Sequence, residues 1–87
     1  MSKMEFNKNQ LKVLDGFSSD YEQKIHGRVL AKKLKMNQKT VANSLSSLEK
    51  QNILKSYVEG RNKYYYFNKK YSKIKKIIKL IELMKKL

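Results

Sequence analysis

The sequence has no cysteine and no proline, and only three glycines, one histidine and seven acidic residues among its 87 positions. Without thiols there is no disulfide, no zinc-thiolate centre and no cysteine nucleophile, and any redox sensing falls to methionine. No uninterrupted apolar run reaches the ~18 residues of a membrane span, and Met1 to Gln10 lacks the apolar stretch of a secretory signal. The expectation is a cytoplasmic chain with no membrane partner.

The scarcity of acids matters more than their number suggests. Twenty-one lysines and arginines leave a net charge of +14. Charge of that size destabilises an isolated chain by self-repulsion and calls for a polyanionic partner, nucleic acid or an anionic surface. A chain this short makes one domain with a thin core, so a second subunit would add useful burial.

Hydrophobic spacing predicts the elements. Asn7 to Phe17 sets Val13, Leu14 and Phe17 on one helical face, and the polar stretch Ser18 to Lys24 then breaks the pattern. Gly27 to Leu34 reads as a short amphipathic helix with Val29, Leu30 and Leu34 inward. After a three-residue turn, Asn37 caps a third helix running toward Gln51 on Val41, Leu45 and Leu48. The period then changes to two. KSYVEG and RNKYYYF flank Gly60 as a hairpin, with Tyr65 and Phe67 on one face and Tyr64 and Tyr66 on the other. The tail from 69 to 87 has no breaker and reads as the longest helix, with a stripe of Tyr71, Ile74, Ile77, Ile78, Ile81 and Met84. It carries eight lysines against Glu82 alone.

The fold expected is mainly α with a small β-hairpin: residues 1–68 as a helix-turn-helix with a hairpin, and 69–87 as a long C-terminal helix of the same unit. Leu30-Ala31, Leu34, Thr40-Val41, Leu45, Leu48-Glu49, Ile53-Leu54, Gly60-Arg61 and Tyr64 to Phe67 follow a recurring order. In that order the segment resembles the winged helix-turn-helix of ArsR-like and MarR-like prokaryotic transcription regulators, over about half the chain. Metal-sensing members of the ArsR-like group use cysteine, histidine or acidic clusters, whereas this chain has His26 as its only histidine and no cysteine. No metal or other cofactor is expected.

The resemblance implies that the helix opening after Asn37 enters the major groove of double-stranded DNA. Gln38, Lys39, Thr40, Asn43, Ser44 and Ser47 are then its outer face, with Gln38 and Asn43 suited to adenine and Lys39 to guanine. Arg61, Asn62, Lys63 and Tyr64 would form the DNA-binding wing, where Arg61 suits a narrow minor groove. Lys32, Lys33 and Lys35 are candidate phosphate contacts. The bland reading of each group is an ordinary solvated face, and of Tyr64 and Tyr66 plain packing. His26 reads as a capping or surface residue.

Asp15, Asp20 and Glu22 are the only clustered acids and share no motif with a nucleophile, so no enzyme is expected. The tail stripe of Tyr71, Ile74, Ile77, Ile78, Ile81 and Met84 is the expected homodimer interface, short for a coiled coil but apolar enough to need a partner. The function expected is a sequence-specific, homodimeric regulator at the nucleoid. With nineteen lysines and two arginines, a low-specificity architectural DNA-binding protein stays open, as does an interaction module at an anionic surface.

Overall fold

A computed structural model describes residues 5–86. Its elements run α1 (Lys8–Asp15), β1 (Ile25–His26), α2 (Gly27–Leu34), α3 (Gln38–Lys50), β2 (Leu54–Glu59), β3 (Asn62–Phe67) and α4 (Ile74–Lys85).

Each helix of the N-terminal half starts on a side chain that satisfies otherwise orphaned backbone donors. Asn7 and Gln10 close a reciprocal box on α1, Gln10 N donating to Asn7 Oδ1 at 2.8 Å and Asn7 N to Gln10 Oε1 at 2.9 Å. His26 Nδ1 accepts from Arg28 N at 3.1 Å, so the single histidine caps α2, as its position before that helix suggested. Asn37 Oδ1 accepts from Lys39 N at 2.8 Å and opens α3.

With so few glycines, two helices end on residues that tolerate the left-handed region less well. Lys35 (φ 55°) closes α2 and Asn52 (φ 66°) follows α3. In both, the next amide reaches back to the carbonyl five residues earlier, Met36 N to Ala31 O and Ile53 N to Leu48 O. These two reversals set the angle between α2 and α3 and turn the chain into the sheet. Gly16 serves another need: a Cβ there would lie 2.6 Å from Leu30 Cδ1, so only glycine lets the end of α1 approach α2 this closely.

The sheet has the order β1-β3-β2, all antiparallel. A two-residue turn led by Gly60 (φ 63°) joins β2 to β3. β1 is a two-residue strand, Ile25 facing Tyr65 and His26 facing Tyr64; two residues are too few to show a period in sequence. Tyr65 and Phe67 are buried on the inner face, as alternation predicted, and Phe67 stacks on Phe17 at 5.0 Å between ring centroids.

The core joins α1 (Val13, Leu14), Phe17, α2 (Leu30), α3 (Val41, Leu45, Leu48), Ile53, Leu54 and α4. Two expectations change here. Val29 is not inward but 56% exposed, because α2 turns its buried face on Leu30 and Ala31. The tail is not one helix from residue 69: Asn68 to Lys73 form turns, and α4 has 12 residues against 13 in α3. Leu87, the last residue of the predicted tail helix, lies outside the described residues.

Candidate nucleic-acid interface

α3 is held from three directions. Asn37 fixes its first turn, Val41, Leu45 and Leu48 are fully buried beneath it, and its side facing α1 is tied by hydrogen bonds. Gln10 supplies that tie. Its amide oxygen completes the α1 cap while its Nε2 donates to Ser47 Oγ at 2.8 Å, so one buried glutamine locks the start of α1 to the middle of α3.

This arrangement divides the predicted outer face. Gln38, Lys39 and Asn43 are exposed. Ser44 is only 6% exposed and Thr40 and Ser47 are partly covered: with Asn7, Asn9, Gln10 and Asn43 they line a polar groove of about 250 Å³ beside α1. The reason is helical geometry. Residues 40, 44 and 47 fall on one side of α3, and the small hydroxyls let α1 approach there.

The surface that α3 turns to solvent runs instead through Lys39, Ala42, Asn43, Ser46 and Lys50, with Ser46 partly covered. Ala42, Ser46 and Lys50 were missed. Continuing from Lys39 at steps of three and four would have found them.

The basic residues around α3 are also sorted by the fold. Lys32, Lys33 and Lys35 are exposed, and Lys33 Nζ also donates to Gly16 O at 3.1 Å and Ser19 Oγ at 3.2 Å, which gives it a structural task besides the phosphate contact expected. On the hairpin, Arg61 and Asn62 stand exposed at the turn. Lys63 points back, pairing with Glu49 of α3 at 3.4 Å and lying over the Tyr65 ring at 5.4 Å. The Tyr65 phenol raises its pKa; burial opposes this, and the Glu49 carboxylate adds to the rise. Glu49 also accepts from Ser56 Oγ at 2.5 Å. One carboxylate therefore fastens both strands of the hairpin to α3. Tyr64 is half-buried on the outer sheet face, stacked on Tyr57 at 5.4 Å.

The tail stripe is the largest correction. Ile77 and Ile81 are fully buried and Ile74 nearly so, all in the chain's own core. Tyr71, Ile78 and Met84 pack against that core and are partly covered. What α4 shows to solvent is Leu83, 53% exposed, flanked by partly exposed Leu80 and Met84. The apolar stripe is wide enough to cover a core and still leave a second edge, which a search for one interface stripe does not separate.

Among the described residues no group of three or more histidine, cysteine or acidic side chains is arranged to hold a metal ion, and no helix is long and apolar enough to cross a membrane.

Helix, helix, turn, helix and a two-stranded hairpin packed on the third helix can be compared with solved structures. MepR, a transcription regulator of the Staphylococcus aureus multidrug efflux pump MepA, superposes with a TM-score of 0.71 at 20% identity over 94% of this chain. A possible transcriptional regulator from Methanosarcina mazei gives 0.72 at 26% identity over 93% of this chain and 71% of that one. The fold is a winged helix. A homodimeric winged helix-turn-helix DNA-binding domain from Mycobacterium bovis, part of a possible ArsR-family regulator, gives 0.65 at 20% identity over 91% of this chain. The chain spans 62% of MepR and 66% of the Mycobacterium bovis fragment. No protein-family model matches the sequence, and no curated protein does. In this winged helix α2 and α3 form the helix-turn-helix and the β2–β3 hairpin is the wing.

Proposed function

We propose that the chain is a transcription regulator that binds double-stranded DNA sequence-specifically as a homodimer. The observation that carries this reading is the outward stripe of α3. Short side chains at Ala42, Asn43 and Ser46 lie between Lys39 and Lys50, on a helix capped at its start and anchored along its flank. Short side chains allow a helix to sit deep in a groove about 12 Å wide, and the terminal lysines meet phosphate or guanine. Lys39 and Asn43 read bases; Lys32, Lys35 and Lys50 hold the backbone. Arg61 at the wing turn enters the minor groove. Such a role places the protein at the nucleoid in the cytoplasm.

The dimer interface in this reading is the outer edge of α4, Leu80, Leu83 and Met84, continued by Leu11 of α1. Leu11 and Met84 line a shallow cavity of about 390 Å³ with Lys8, Lys12, Asp15 and Lys85. That the Mycobacterium bovis domain is homodimeric supports a dimer by analogy.

The test is selection of bound sequences from a random DNA pool, followed by gel shift of Lys39→Ala and Asn43→Ala on the selected site. Each substitution is expected to cost about 1–3 kcal/mol on that site and much less on random duplex. Equal losses on both, or a pool that yields no shared sequence, would leave a low-specificity architectural role instead.

A further inference from the structure

The outer face of the sheet, turned away from α3, is not the polar surface expected of a hairpin with one side in water. Tyr57 of β2 stands directly across from Tyr64 of β3, and His26 of β1 directly across from Tyr64 on the other side. The rings touch: Tyr57 stacks on Tyr64 at 5.4 Å and 16°, Tyr57 meets Tyr66 at 6.1 Å, and His26 meets Tyr64 edge-on at 5.7 Å. All four keep part of their surface in solvent. An aromatic row left open on an 87-residue chain of +14 charge is a binding surface in want of an occupant.

The charges around it say what kind. Lys24 Nζ lies over the Tyr57 ring at 5.8 Å, and Lys55 faces Tyr66 across the strands. Beside Tyr66 the row runs into a cavity of about 470 Å³ whose rim carries Lys24, Lys55, Lys69 and Lys70. The acids nearby are Glu22, paired with Lys69, and Glu59 next to the turn. Partly exposed aromatic rings bordered by lysines fit a ligand that offers flat π surfaces and a phosphate backbone together. A duplex does not, because its bases are stacked on one another and only their edges show. An unpaired strand does: its bases can lie on aromatic rings while its phosphates meet lysines.

We infer that the outer sheet face, Tyr57, Tyr64 and Tyr66 with Lys24 and Lys55, is a second nucleic-acid site that stacks the bases of a single strand. A base on Tyr57 takes the place of the Lys24 ammonium, whose flexible chain then swings to a phosphate. The site lies across the sheet from α3, so it does not depend on α3 reading a duplex.

The experiment measures binding of the full chain to a fluorescent twelve-nucleotide thymidine strand, the matching uridine strand, an abasic strand of the same charge and a random-sequence duplex. The variants are Tyr57→Leu with Tyr66→Leu, and Tyr57→Phe with Tyr66→Phe. The wild type is expected to bind at least one of the base-bearing strands about tenfold or more tightly than the abasic strand, each lost ring costing roughly tenfold. The leucine pair should fall to the abasic level while its duplex affinity stays within twofold, and the phenylalanine pair should keep the preference. Preference for the thymidine or the uridine strand tells whether the sugar is also read. Wild-type binding of abasic and base-bearing strands with equal affinity would overturn the inference even if the leucine pair failed to fold, and so would unchanged single-strand binding by a folded leucine pair.

Discussion

The helices α3 and α4 are almost equal in length and bury equivalent triads, Val41, Leu45 and Leu48 against Ile74, Ile77 and Ile81. They differ in everything else. α3 begins on an asparagine cap and shows small polar side chains to solvent; α4 begins at Lys73 with no side-chain cap and shows Leu80, Leu83 and Met84 between lysines. A helix meant to enter a groove needs a fixed start and a low profile. One meant to meet another protein surface needs apolar area, and its ends can be left to the partner. The inner faces are alike in kind, and under the proposed function the outer ones divide the work.

That contrast predicts that inner-face substitutions act alike. Leu45→Asp and Ile81→Asp each bury an unpaired charge in the shared core and are expected to cost about 4 kcal/mol or more, enough to unfold a domain of this size. Circular dichroism and urea titration would show it; a folded Ile81→Asp protein would mean that α4 packs on the core only loosely. Outer-face substitutions should separate. Leu83→Asp is expected to raise the dimer dissociation constant at least tenfold with little loss of thermal stability, while Ala42→Asp leaves assembly alone and weakens duplex binding by a similar factor. Sedimentation and gel shift distinguish the two, and a wild-type monomer in sedimentation would remove the assembly half of the comparison.

The helix starts sharpen it further. Asn37→Ala should destabilise the protein by about 1 kcal/mol through loss of the α3 cap. Lys73→Asp, placing an acceptor and a negative charge at the bare start of α4, should stabilise it by about 0.5 kcal/mol. Thermal melts read both signs, and a neutral Asn37→Ala would show that packing on α1 alone fixes the start of α3.

How much of this is legible in the chain follows the same division. The spacing of Val41, Leu45 and Leu48, the cap at Asn37 and the alternation of Tyr65 and Phe67 are local patterns with one physical solution, and the helix-turn-helix and hairpin read directly. What side chains do on contact between elements does not. Nothing local to Ser47 shows that Gln10, 37 positions away, reaches across to it. Likewise Lys33 looks like any surface lysine until Gly16 and Ser19 come within its reach. The Ile74–Ile81 stripe shows the limit most plainly: apolar spacing says that a face is buried but not whether its own chain or another buries it.

The smallest expected effect concerns a contact that latches the outer side of α4 to the loop before β1. Tyr21 stacks on Phe67 at 5.6 Å and donates its hydroxyl to Glu82 at 2.5 Å, the only acid of the tail. Burial, then the hydrogen bond and the charge of Glu82, push the phenol pKa up from 10.0 to about 12. The folded protein thus holds that proton more tightly than the unfolded chain. Below pH 10 both states keep it and the stabilisation from this contact is fully present; between pH 10 and about 12 the unfolded chain releases it first, and the stabilisation drains away. Tyr21→Phe removes the group while retaining the stack on Phe67. Urea midpoints of the two proteins should differ by a constant amount from pH 7 to 9 and converge as the pH rises through 10 to 11.5. The other tyrosines and the lysines titrate in both proteins and cancel in the difference. A gap that stays constant through pH 11.5 would show that the folded protein holds the Tyr21 proton no more tightly than the unfolded chain does.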